Sequence, residues 1–207
     1  MKKLSIQSIA VIAILSAISF ILAFFEIPMP LSPPFAMMDF SDLPAVLATF
    51  AIGPVGGVLV EVIKNGLQAF STSTGGIGEL ANCLMGCAFV IPAGIIYKKN
   101  KNRKNAVLGC LAGSLCMGIA AAFLNYFVLL PLFENFMPMD ELIAAVSEIL
   151  PFIKTKFDVC AYNALPGNIF KGLIISVLTM LIYKPLSPIL HGMRRSAVKS
   201  DAEKAAD

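Results

Sequence analysis

The chain has 207 residues, of which 57% are hydrophobic and only 14% charged. Soluble domains carry roughly a quarter charged residues, so this balance excludes a disordered chain, a disulfide-rich secreted domain and an ordinary cytosolic enzyme. A mean hydropathy of +0.82 is that of a protein dissolved in lipid, and a net charge of +3 is too small to argue for nucleic acid.

Charges divide the chain into apolar runs. Leu4 to Phe25 is free of charge over 22 residues, and Leu43 to Val60 over 18. Leu80 to Tyr97 gives another 18, Asn105 to Phe133 gives 29, and Val159 to Tyr183 gives 25 with Lys171 as the single interruption. A membrane-crossing helix needs about 20 mostly apolar residues. Lys2 and Lys3 give the first run a basic start, but it is long for a signal peptide and no small-residue cleavage site precedes Glu26. It reads as a retained helix.

Lys and Arg in short loops set the orientation. Lys2 and Lys3, the cluster from Lys98 to Lys104, and the cluster around Lys184, Arg194, Arg195, Lys199 and Lys204 should share the cytoplasmic side. Five spans would put the middle cluster outside. Two crossings between Leu43 and about Phe70, broken at Gly53, Pro54, Gly56 and Gly57, remove the conflict. The expectation is an all-α integral membrane protein with six transmembrane helices, two of them short, and both termini cytoplasmic. The spans are 4–25, 42–53, 55–70, 78–97, 106–131 and 159–187, in one membrane domain over 1–190. Residues 26–42 form an extracellular lid loop, 132–158 a second extracellular loop with helical spacing around Glu141 to Ile149, and 191–207 a cytoplasmic tail. One long helix in place of the short pair, giving five spans, is the alternative.

Polar residues within apolar runs are the candidates for function. Lys171 lies deep in the last run, with Asn168 one turn before it, Pro166 and Gly167 loosening the helix, and Asn163 a turn further back. A ligand on this patch competes with a structural reading in which Lys171 pairs with Glu61 or Glu79. Asn125 and Tyr126 interrupt the fifth helix, facing either a cavity or a neighbouring helix. Glu61 and Lys64 stand at i, i+3 and read as a structural pair, followed by Asn65 and Gln68. Glu79 and Asn82 open the fourth helix on the outer side, and Met38, Asp39 and Phe40 end the sticky, proline-rich lid loop. On the first helix Ala13 and Ala17 form a small-x-x-x-small face that admits another helix closely. The five cysteines and single His191 show no metal-ligand spacing, and there is no Walker A sequence, no G-x-S-x-G and no H-E-x-x-H.

Met38-Asp39-Phe40-Ser41-Asp42-Leu43-Pro44-Ala45, Gly53-Pro54, Lys64-Asn65, Asn125-Tyr126-Phe127, Asn168-Ile169-Phe170-Lys171-Gly172 and Ala13-x-x-x-Ala17 occur in this order. With them the chain resembles, from about residue 4 to 190, the riboflavin-specific substrate-binding (S) component of the energy-coupling factor (ECF) vitamin transporters. The resemblance implies a multi-pass subunit of the bacterial cell membrane that does no chemistry on its substrate. It implies a flavin ring held by Asn125, Asn168 and Lys171 under the first loop. Asn163, Gly167, Met38, Asp39, Phe40, Asn82 and Glu79 complete the candidate substrate-binding set, although the family pattern assigns no role to Glu79. It further implies docking of the transmembrane coupling (T) subunit on Ala13 and Ala17, two partner ATPases, no cofactor and no metal. Flavin mononucleotide is left open as a second ligand. An S component for another vitamin, such as thiamine or biotin, and a small integral membrane enzyme are the alternative readings.

Overall fold

The computed structural model describes residues 4–30, 32, 37–70, 76–135 and 138–182. Lys2, Lys3, Pro33, Pro34, Phe35, the end of the last helix beyond 182 and the whole C-terminal basic cluster with His191 lie outside the described residues. The described residues form seven helices and one two-stranded ladder. Helix α1 spans Ile6–Leu22 and starts where the Ser5 hydroxyl accepts from the Ser8 amide at 3.2 Å. Strands β1 (Ile27–Pro28) and β2 (Met37–Met38) pair antiparallel, with Ile27 opposite Met38.

Two short helices follow, α2 (Asp42–Ala51) and α3 (Pro54–Gln68). The break is local chemistry. Gly53 sits at φ 123°, a region closed to side chains with a β-carbon, and Pro54 supplies no N–H where a new helix begins. Gly57 then lets α3 lie directly on α2, since a β-carbon there would stand 2.9 Å from the Ala45 carbonyl oxygen. Every residue of α2 from Asp42 to Phe50 is buried.

Among the described residues three helices are long and apolar enough to cross a membrane: α4 (Ile77–Lys99), α5 (Arg103–Phe133) and α7 (Lys156–Ile182). Glycines bring them together. A β-carbon at Gly109 of α5 would be 2.7 Å from the carbonyl oxygen of Ala93 in α4, and one at Gly113 would be 2.6 Å from that of Phe89. Gly172 of α7 packs likewise on Ser114. Among apolar surroundings such close contact, with its many dispersion contacts, holds helices together. Helix α6 (Met139–Ser147) lies within the segment expected as the second loop. Its Leu142 and Val146 pack with Leu130, Ile153, Val159 and Cys160 over the adjacent ends of α5 and α7.

Both α5 and α7 contain one π-turn, Asn125–Leu129 and Cys160–Ala164. The two have the same cause. The amide of Leu130 reaches back to the Asn125 carbonyl and that of Leu165 to Cys160, each followed by a proline, Pro131 or Pro166. A proline cannot continue the ordinary ladder, so the turn before it widens. The two π-turns pack against each other.

Candidate functional site

The N-terminus of α2 is the anchor. Ser41 is fully buried; its amide donates to Asp39 Oδ1 at 2.7 Å, its carbonyl accepts from the Ser19 hydroxyl of α1, and its hydroxyl accepts from Lys64 Nζ at 2.6 Å. The lid loop, α1, α2 and α3 therefore meet at one residue.

From there six side chains close into a ring across α2, α3, α4 and α7. Lys64 Nζ donates to Asp42 Oδ1, and Asp42 Oδ2 lies 3.0 Å from Lys171 Nζ. Lys171 Nζ is 3.5 Å from Asn82 Oδ1, and Asn82 Nδ2 donates to Asn65 Oδ1 at 3.1 Å. Asn65 Nδ2 donates to Glu61 Oε2 at 3.3 Å, and that oxygen is 3.0 Å from Lys64 Nζ. Asp42, Glu61 and Lys64 are wholly buried. Isolated charges would not survive there, because desolvation costs several kcal/mol per ion. The ring meets that cost by giving each ammonium two ring acceptors.

Lys171 is the ring's member on α7. It also reaches Asp39 Oδ2 of the lid segment at 3.4 Å. Its ion partners are thus Asp39 and Asp42; Glu61, one of the two expected acids, pairs with Lys64 instead. Asn168, one turn away on α7, is buried and donates Nδ2 to the Ala164 carbonyl at 2.9 Å. Asn125, in the π-turn of α5, donates Nδ2 to the Ala121 carbonyl at 2.8 Å. One N–H of each amide is thereby fixed on its own helix, and that bond uses neither the carbonyl oxygen nor the second N–H.

The loop between α1 and α2 touches α7 at further points. Asn163 donates to the Ser32 hydroxyl at 2.9 Å, and Gly167 sits directly beneath the Met29 thioether, its missing side chain making the seat. Met38 is buried in the β-ladder, and Phe40 is half-buried against the main apolar core. Asn82 belongs to the ring, and Glu79 is half-buried in the first turn of α4. Ala13 and Ala17 stand exposed on α1, whose buried stripe is Ile12, Ser16 and Ser19.

Neither Asp42 nor Lys64 is among the sequence's binding candidates; Asp42 appears there within the segment Met38 to Ala45, and Lys64 as the partner of Glu61 and in Lys64-Asn65. The available signal was a carboxylate directly before an apolar run in a chain with few acids, but its partners lie 22 and 129 positions away. The π-turn at Asn125 was also missed; its signal is the Leu-Pro step at Leu130 and Pro131.

Comparison with known proteins agrees with this architecture. Residues 7–183 match the family described as "ECF transporter, substrate-specific component". The riboflavin transporter RibU of Staphylococcus aureus (strain TCH60) is 36% identical over 197 residues, covering 91% of this chain and 96% of that protein. The riboflavin transporter FmnP of Bacillus subtilis (strain 168) is 31% identical over 204 residues, covering 94% and 100%. A solved structure described as the S component of a bacterial ECF transporter superposes with a TM-score of 0.70 at 37% identity, covering 88% of this chain and 96% of the other. A match over nearly the whole helical body, with relatives aligned almost end to end, leaves one assignment: the chain belongs to the family of ECF transporter substrate-specific components.

Proposed function

We propose that this chain is the riboflavin-binding S component of an ECF-type transporter in the bacterial cell membrane. The observation that carries the reading is the trio Asn125, Asn168 and Lys171, two oriented amides and one ammonium presented by neighbouring helices. The pyrimidine edge of a flavin offers two carbonyl acceptors flanking an N–H donor. An amide matches a carbonyl and the N–H, and an ammonium matches the remaining acceptor. Sites of this kind reject analogues strongly, because a wrong ligand leaves buried polar groups unpaired. Two relatives that align with this chain almost end to end are named riboflavin transporters.

Transport needs no bond-making by this chain. Riboflavin enters from outside, the segment from Met29 to Phe40 closes over it, and the subunit reorients in a complex with a T component and two ATPases. Six spans with both termini cytoplasmic fit the basic cluster at Lys98 to Lys104. Exposed Ala13 and Ala17 give the T component a close-packing face.

The test is the colour of the purified protein. Protein from cells grown with riboflavin should be yellow with about one flavin per chain, and Lys171→Ala should lose most of it. Colourless protein that fails to quench added riboflavin fluorescence would refute the reading, and quenching by another vitamin in competition would reassign the cargo.

A further inference from the structure

The closed polar ring has a consequence for affinity. We propose that Lys64, wholly buried on α3, is a positioning residue for Lys171, acting through Asp42 on one side and through Glu61, Asn65 and Asn82 on the other. The inference rests on the riboflavin reading above and deepens it by naming what holds the ligand-facing ammonium in place.

Connectivity is the argument. An ammonium has three N–H donors. In Lys171 one donates to Asn82 at 3.5 Å and one to Asp39 at 3.4 Å, and the ammonium is ion-paired with Asp42 Oδ2 at 3.0 Å. The donor on Asp39 serves the longer and less buried of the two ion pairs. That is the donor a ligand acceptor takes. Its direction depends on where Asp42 and Asn82 stand. Lys64 holds both: it donates to Asp42, and through Glu61 it fixes Asn65, whose oxygen receives the Asn82 amide. Because lysines only donate and carboxylates only accept, the ring runs from its two lysines toward its two carboxylates, and both Asn amides, lying on the path from Lys171 to Glu61, are oriented by it. Lys64 further ties the ring to Ser41 at 2.6 Å. A salt bridge serving stability alone would need none of this; apolar residues of the same volume do as well or better.

The test is a double-mutant cycle on riboflavin binding, read by fluorescence quenching in detergent, with thermal unfolding measured alongside. Coupled sites interact by amounts that correspond to about 3- to 100-fold. Lys64→Met should raise the riboflavin Kd about tenfold or more, yet by less than about threefold in a Lys171→Met background. Lys64→Arg should recover most of the affinity. The visible absorption band of bound flavin should move in Lys64→Met toward that of Lys171→Met, which a loss of stability alone would not produce. Should Lys64→Met fail to fold, Asn65→Ala opens the ring on its neutral side and is held to the same non-multiplying relation with Lys171→Met. Folded variants with wild-type affinity, or losses that multiply independently, overturn the positioning role while leaving riboflavin binding intact. Wild-type protein that does not bind riboflavin overturns both.

Discussion

Gly167→Ala separates the stability of α7 from the seating of the lid. Two effects of similar size oppose each other in the folded protein. Replacing a glycine inside a helix with alanine stabilises by about 0.5–1 kcal/mol. Against this, the new β-carbon would land on the Met29 sulfur, with Met29 Cγ at 3.4 Å and Cε at 3.6 Å. Such overpacking costs about 1–3 kcal/mol, and a flexible thioether puts the cost near the lower end. Net stability should therefore change by less than about 1 kcal/mol. The clash, however, exists only while the lid rests on α7. It should shift the lid equilibrium by about 1–2 kcal/mol, or about 5- to 30-fold in riboflavin dissociation rate. Stopped-flow recovery of flavin fluorescence after dilution reads that rate, and differential scanning fluorimetry reads stability. In a Met29→Ala background the added methyl should have no further effect on dissociation. An unchanged dissociation rate together with a fall of several degrees in melting temperature would refute the reasoning, placing the strain in α7 and not in the lid.

Gly53→Ala should cost about 2–3 kcal/mol, since φ 123° with ψ 177° is essentially glycine-only and nothing lies within 4 Å to add a steric effect. Scanning fluorimetry should show a drop of about 5–10 °C, and an unchanged midpoint would contradict the backbone account of the α2–α3 break. Gly109→Val should be worse, because its β-carbon meets the Ala93 backbone 2.7 Å away; loss of monodisperse protein in gel filtration is expected, and a well-behaved variant would count against glycine-mediated α4–α5 packing. Ala13→Trp and Ala17→Trp should abolish riboflavin uptake by cells while leaving binding to purified protein within about twofold, because both positions are exposed in the isolated chain. Uptake that survives both changes would remove the T-component docking role.

How much was legible in the sequence depends on how far apart the interacting residues are. The long helices α4, α5 and α7 show in the apolar runs 80–97, 105–133 and 159–183, the last broken only by Lys171, because mean hydropathy needs no partner. The break at Gly53 and Pro54 shows because both residues act through their own backbones. The expectation that Lys171, Asn168 and Asn163 share a patch rests on spacing along a single helix, and the Glu61–Lys64 pair at i, i+3, which the fold contains, is legible in the same way.

Tertiary structure alone decided the rest. Which acids face Lys171 depends on how α2 and α7 are packed, and hydropathy is indifferent to that packing; the sequence offered Glu61 and Glu79, whereas the fold brings Asp39 and Asp42. The ring, the Ser41 junction and the Met29 seat on Gly167 join residues remote along the chain. They exist because glycines let the helices approach within van der Waals contact, and because no buried charge persists without a partner. Composition and local spacing thus determined that this chain is a helical membrane protein with polar residues set in its apolar runs, while the packing of the helices decided which of those residues meet.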